Sequence, residues 1–175
     1  LYPVDVDSRK RRQGFAYCGT FDPAALGEAV AEARDNATFG EPDEAAGVAE
    51  PDGVEPVELD LWRPGLADVP TADKIALAVE LERAVLAADP RITGVESCDY
   101  GDSRGEAAIA TTTGIRRASR QTTCDLVAYS LAADGDDTQS GFGFSLARSF
   151  DELDVAVAAR DAADRAVRML GATKP

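Results

Sequence analysis

Apolar positions along this chain keep two different periods. Between Ile92 and Arg148 the period is two: Phe142, Phe144 and Leu146 alternate with Gly143, Ser145 and Ala147, which puts the bulky residues on one face of a strand. Val127, Tyr129 and Leu131 share one face of a second strand, with Leu126, Ala128 and Ser130 on the other. Ala133-Asp134-Gly135-Asp136-Asp137 lies between them, and an Asp-Gly step flanked by strands is a strong hairpin signal. Val95–Tyr100 and Glu106–Thr113 are further strand candidates. Asp102-Ser103-Arg104-Gly105 is expected to turn the chain between them, and Thr113-Gly114 to turn it out. Ile115–Thr123 leads into the strand at Leu126. Such short connections favour an antiparallel meander, because parallel pairing needs long crossovers.

Three other stretches carry a period of three to four. Asp22-Pro23 opens the first, with Leu26, Ala29, Val30, Ala33 and Ala37 as its apolar stripe and a stop near Thr38 and Gly40. The second starts at Thr71 as N-cap. It places Ile75, Ala78, Val79, Val85 and Leu86 on one face, widened by Leu77 and Leu81, and ends at Asp89-Pro90. The third follows Ser149-Phe150-Asp151-Glu152, which has capping-box spacing. Val155, Ala159, Ala162, Ala166 and Met169/Leu170 line this helix, Asp161–Arg165 and Asp164–Arg168 are i,i+4 pairs, and Gly171 supplies the stop.

Leu1–Val6 and Phe15–Thr20 read as a terminal hairpin with Arg9-Lys10-Arg11-Arg12 at its tip, a solvated turn in an acidic chain. From Glu41 to Pro70 five prolines forbid a continuous helix or central strand. They leave a long connection with one short extended piece at Val57–Leu61 and Trp62 pinning it by burying its ring. The element order is ββα–loop–αββββα, an α+β fold in which three helices pack on an antiparallel β-meander. The map divides into residues 1–40 (hairpin and helix), 41–70 (Pro-rich connection) and 71–175 (helix, meander, helix).

Composition narrows the function. With 175 residues the chain can bury a core without disulfides. A net charge of -14 argues against nucleic-acid binding, which needs a basic surface. There is no apolar run long enough for a membrane helix and no signal peptide, so the expectation is a cytoplasmic protein. The chain starts at Leu1 in strand-like sequence and ends in linker-like Thr173-Lys174-Pro175, which reads as a piece of a longer protein. The three cysteines, Cys18, Cys98 and Cys124, have no metal-ligand spacing and read as small buried hydrophobes. The sequence has no histidine, which excludes within it a Ser-His or Cys-His nucleophile pair and any His-ligated zinc.

Other local patterns also have plain readings. Asp134-Gly135-Asp136-Asp137 lacks the downstream Glu and the spacing of an EF-hand loop. Gly141-Phe142-Gly143-Phe144 has no helix after it and cannot cradle phosphate. Arg116, Arg117 and Arg120 suit a solvated or subunit-facing role. No carboxylate pair is singled out as an acid/base couple. The expected catalytic, cofactor-binding and metal-ligating residues in this stretch are therefore none.

A family resemblance goes further. Thr111-Thr112-Thr113-Gly114-Ile115, the run from Ala133 through Phe144 followed by Arg148 and Leu153, and the helix Ala159–Gly171 resemble the TldD/PmbA (TldE) family, the modulators of DNA gyrase. So does Phe21-Asp22-Pro23-Ala24-Ala25-Leu26 ahead of an Ala-rich helix and a Pro-rich stretch. The resemblance covers most of the chain and leans towards PmbA/TldE. It implies a cytoplasmic metallopeptidase built from two subunits and acting on unfolded peptides. In that family the TldD subunit carries an HExxxH helix and a later Cys that hold zinc, and its partner lacks them. The metal would activate water, with the motif Glu as base.

Without histidine, no ligand carries over to any residue here, so zinc is expected elsewhere in the assembly. On this reading the chain is the amino-terminal, substrate-enclosing scaffold of a TldD/PmbA-type subunit. Its partners would be the rest of its own chain, a TldD/TldE-type subunit in a homo- or heterodimer, and unfolded peptide, with no nucleic acid and no membrane. The alternative is a free-standing α+β interaction module without peptidase activity. A reading frame continuing well beyond Pro175 favours the first, and an early stop the second.

Overall fold

The structure is a computed structural model that describes residues 12–173. Within them are three α-helices and a three-stranded antiparallel sheet, an α+β architecture of the expected class. The chain divides into two compact units. One comprises residues 1–56 and 108–117, the other residues 57–107 and 118–175.

In the first unit, α1 (Pro23–Ala37) begins as its sequence requires. The Asp22 Oδ1 accepts from the Ala24 and Ala25 amides at 2.9 and 3.2 Å, and Pro23 fills the first turn. Ala29, Ala33 and Ala37 are its buried face. The expected strand at Phe15–Thr20 does not form among the described residues, and its partner Leu1–Val6 lies outside them. The alternation at 14–17 is instead satisfied against a helix. A Cβ on Gly14 would lie 1.8 Å from the Ala33 carbonyl oxygen, Ala16 is buried, and the Asn36 Nδ2 donates to the Phe15 carbonyl at 2.8 Å. Arg12, from the expected basic tip, donates to the Thr38 carbonyl at 2.8 Å. Arg9, Lys10 and Arg11 lie outside the described residues.

In the second unit the connection through Val57–Leu61 stays irregular, with Val57 and Leu59 exposed, and a 3-10 turn follows at Pro64–Asp68. In α2 (Thr71–Ala88), Pro70 is the N-cap and Thr71 makes no capping bond. The buried face is Leu81 and Val85 with Leu77 and Ala84 beside them, whereas Ile75, Val79 and Leu86 are exposed. Val85 of the expected stripe and Leu77 and Leu81 beside it are therefore the inner side, while Ile75, Val79 and Leu86 are not, because this helix is apolar nearly all round.

The sheet contains three strands where four were expected: β1 (Ile92–Ala110), β2 (Arg116–Asp134) and β3 (Asp137–Ala147), in the order β1-β2-β3. Asp102-Ser103-Arg104-Gly105 does not turn and continues β1. Its turn-forming side chains find cross-strand and helix partners instead: the Ser103 and Thr123 hydroxyls are hydrogen-bonded at 2.7 Å, and Asp102 pairs with Lys74 of α2. The β2–β3 hairpin forms where expected, with Gly135 in the left-handed region at φ 61° and Asp134 opposite Asp137.

After β3, Ser149-Phe150-Asp151-Glu152 forms a 3-10 turn instead of a capping box, and α3 (Val155–Met169) is capped by Asp154, whose Oδ1 accepts from the Val157 amide at 2.9 Å. Glu152 does reach back, but one residue too far for a box, to the Arg148 amide at 3.2 Å. Of the two expected pairs on α3, Asp161–Arg165 closes to 3.7 Å. Gly171 ends the helix and donates to the Asp137 Oδ2 at 2.6 Å.

α2 and α3 cover one face of the sheet. The core between them holds Leu81, Val85, Ile92, Leu126, Ala128 and Ala132 against a five-alanine stripe, Ala158, Ala159, Ala162, Ala163 and Ala166.

Candidate functional site

The two faces of the sheet differ sharply. Towards α3, β3 presents Gly141 and Gly143. A Cβ on Gly141 would lie 2.3 Å from both the Ala162 oxygen and the Ala166 nitrogen, and one on Gly143 would lie 2.1 Å from the Ala158 oxygen. Helix and strand backbones therefore meet directly. The Ser130 hydroxyl, fully buried on β2, donates to the Ala162 carbonyl at 2.8 Å and ties the helix down at that point. On the opposite face β2 and β3 are in register with Tyr129 opposite Phe142 and Val127 opposite Phe144. There Tyr129, Phe142, Phe144 and Leu146 are 43%, 46%, 48% and 65% exposed. The Phe142 and Phe144 rings stack at 6.5 Å, and Tyr129 lies 6.1 Å from Phe142. Arg165 brings its guanidinium to 4.6 Å from the centre of the Phe142 ring and donates to the Phe142 carbonyl at 2.8 Å.

A polar cluster closes the seam between α2 and β1. Lys74 pairs with the Asp102 Oδ2, the Tyr100 hydroxyl donates to the same oxygen at 3.0 Å, and the Lys74 ammonium lies 5.5 Å from the Tyr100 ring centre. The Lys74 hydrogen bond, with help from Tyr100, holds the Asp102 carboxyl below the usual range. Burial first, and then the Asp102 carboxylate, push the Tyr100 phenol well above its usual range. Neither group is a proton shuttle at neutral pH. Sequence reasoning missed this cluster because Lys74 and Asp102 are far apart in the chain and no motif joins them.

A second polar knot pins the Pro-rich connection. Thr122, fully buried, accepts at its hydroxyl from the Arg63 amide at 3.0 Å and donates to the Arg148 carbonyl at 3.1 Å, while its amide donates to the Leu61 carbonyl at 2.9 Å. Arg148 returns an Nη1 bond to the Thr122 carbonyl at 3.0 Å. Trp62 is half-buried, and the Arg120 guanidinium stands 5.0 Å from its ring centre. Beside the knot is a shallow groove of about 470 Å³ between Arg63–Leu66 and Ser149–Glu152. Ser149, Asp151 and Glu152 are among its lining residues, and the Glu152 carboxylate is engaged by the Arg148 amide at 3.2 Å.

The thiols are placed for packing. Cys124 is fully buried and Cys98 half-buried. Burial, reinforced by Glu82 and Asp99 for Cys98 and by Asp102 and Asp125 for Cys124, pushes both up to about 11. They are protonated at neutral pH and poor as nucleophiles. Among the described residues no three Cys, Asp or Glu side chains converge as a metal-holding group. With no histidine either, these residues do not fit zinc. Asp134, Asp136 and Asp137 stay in their turn, where Asp137 is held below the usual carboxylate range by the Gly171 amide and then Gln139. No helix among the described residues is long and apolar enough to cross a membrane.

Comparison with known proteins agrees with this architecture. A sequence model of the PmbA/TldA metallopeptidase central domain matches residues 64–170. For those residues it replaces the expected amino-terminal placement with a central one. Metalloprotease PmbA of Escherichia coli O157:H7 is 28% identical over 146 residues, covering 82% of this chain and 32% of the relative. The chain thus spans about a third of the curated relative it matches. Among solved structures, a candidate modulator of DNA gyrase from Bacteroides thetaiotaomicron superposes with a TM-score of 0.74 at 24% identity, over 94% of this chain and 38% of its own. A similar protein from Thermotoga maritima gives 0.67 at 19% over 94% and 36%. TldE from Thermococcus kodakarensis gives 0.64 at 18% over 92% and 35%. At these identities the structures speak for the shared fold.

Proposed function

Because this chain belongs to the PmbA/TldA metallopeptidase family, whose central-domain model matches more than half of its length, we propose that it is a scaffold region of a zinc metallopeptidase subunit. The subunit acts on unfolded peptides in the cytoplasm, paired with a TldD/TldE-type partner. This region shapes and encloses the substrate space, and the metal and reacting groups come from other parts of the assembly. One observation carries the reading: a metallopeptidase central domain occurs on a sequence with no histidine, whose two inward thiols are held protonated. Such a region contributes rigidity. The glycine–alanine contact and the Thr122 and Lys74–Asp102 knots fix three elements against the sheet without any group poised for proton transfer.

The test uses the full-length protein co-purified with its partner subunit, with zinc measured by mass spectrometry and cleavage followed on a disordered peptide and on a folded control. The expected result is zinc in the assembly, cleavage of the disordered peptide alone, and no loss of either in the Cys98→Ala and Cys124→Ala variants. Zinc lost with either thiol, or a zinc-loaded assembly that leaves the disordered peptide intact, overturns the reading.

A further inference from the structure

We propose that the outer face of the sheet, centred on Tyr129, Phe142 and Phe144, seats a further apolar domain of the same polypeptide. The inference rests on the family membership and not on the peptidase reading. Tyr129, Phe142, Phe144 and Leu146 leave on the order of 400 Å² of contiguous apolar surface open, taking about 200 Å² for a full aromatic side chain. The core of this unit does not use these rings. α3 is already seated on the glycine side of β3, so close that no side chain fits between. A sheet with helices on one face and stacked aromatics on the other needs a further layer to be complete. The open face is also pre-set. The rings are stacked on one another, and Arg165 holds Phe142 from above while occupying its edge carbonyl. Their arrangement is therefore fixed before anything docks.

The occupant follows from length, area and charge. This chain covers 32% of the curated relative and 35–38% of the three solved chains, so proteins of this kind carry roughly two-thirds of their polypeptide outside this region. A face of about 400 Å² falls short of the roughly 800 Å² per partner of a stable two-molecule interface. It suffices for a layer of the same polypeptide, whose docking costs no translational freedom. A second copy of this chain would also bring its own net charge of -14 against that of the first.

The test places the photocross-linker p-benzoylphenylalanine at Phe144 in the full-length protein, carried by a tagged chain co-expressed with an untagged one. The proposal expects cross-links to residues of the same polypeptide outside residues 1–175. It is overturned by an adduct joining tagged and untagged chains, which identifies a second copy, by cross-links confined to this region, or by no cross-link at all. A measurement on the unsubstituted full-length protein guards against a misfolded variant. Hydroxyl-radical labelling of Tyr129, Phe142 and Phe144 is expected to run about tenfold slower than in the urea-unfolded chain, as for core residues. A slowing of only about twofold, which half-exposed rings would give, overturns the proposal. Neither readout depends on zinc or cleavage, so its failure is separable from failure of the peptidase reading.

Discussion

β3 carries two surfaces on one strand, and they follow opposite rules. On its inner side Gly141 and Gly143 bring the strand backbone against that of α3, with Ala158, Ala162 and Ala166 as the matching small residues. On its outer side Phe142, Phe144 and Leu146 stand half-open to solvent. The usual expectation, bulky side chains inward and small ones outward, is inverted. Close approach explains the inversion. A helix seated this near gains its contacts from backbone and methyl groups at interior density, and the large side chains of a strand so buried can only point away. Tight packing within this unit and an aromatic face turned outward are thus two consequences of one spacing choice in the sequence.

The most direct way to break the inner surface is to add atoms where none fit. Gly143→Val puts carbon 2.1 Å from the Ala158 oxygen and 2.5 Å from the Ala162 nitrogen, both backbone atoms that cannot swing aside. We expect a loss of about 3 kcal/mol, measured by urea unfolding, because overpacking against backbone forces the helix off the strand. Ser130→Ala is the next largest perturbation. It removes the 2.8 Å bond to the Ala162 carbonyl at a fully buried site and leaves that acceptor short of a partner, a loss of about 1.5 kcal/mol by the same assay. If Gly143→Val proves neutral, the backbone-to-backbone contact is not what seats α3.

Much of this was legible in the residues, and the gaps have physical causes. Local signals held where one residue type answers one local need: Asp22-Pro23 at the start of α1, Asp134-Gly135 in the hairpin, and the alanine stripe of α3. Signals failed where tertiary partners outbid local preference. Asp102-Ser103-Arg104-Gly105 has turn chemistry, yet Thr123 and Lys74 hold it extended. Ser149 has the spacing of a cap, yet Asp154 sits at the helix start and caps it. α2 offered one broad apolar face, and only the sheet could narrow it to Leu81 and Val85 and leave Ile75 and Leu86 exposed. Gly141-x-Gly143 is legible as a strand pattern with no helix after it. Its actual partner, Ala158-x3-Ala162-x3-Ala166, was visible too, but nothing local joins a strand period to a helix period. For the candidate site, the residues show only that histidine is absent from the sequence, and the family resemblance alone pointed to peptidases.

The outer surface predicts a contrasting response. Leu146→Gln alters a side chain that is 65% exposed, and in this chain it should shift stability by less than about 0.5 kcal/mol. If the proposed layer covers this face in a longer polypeptide, the same change there should cost about 1 kcal/mol or more, since a covered leucine then loses its apolar surroundings. Equal effects in the two settings, by urea unfolding, would erase the distinction between a finished and an unfinished face.

The smallest effect concerns the polar seam on the helix side, where pH is the probe. The Asp102 carboxyl is held below its usual range chiefly by the hydrogen bond from Lys74, with Tyr100 assisting. A carboxyl depressed on folding binds its proton more readily in the unfolded chain. Its contribution is therefore complete above an unfolded value of about 3.9 and disappears as pH falls through the lower folded value. Asp89, at the end of α2, behaves alike: Arg91 holds it down to about 2, so its share persists at moderate acidity and vanishes only near that pH. The Asp102→Asn variant should lose its stability deficit relative to wild type as the medium is acidified below about pH 4, with the two melting temperatures converging. A deficit that stays constant from neutral pH to the acid limit would mean that Asp102 contributes shape to the seam and no charge, and α2 would then be held by its apolar face, Leu77, Leu81, Ala84 and Val85.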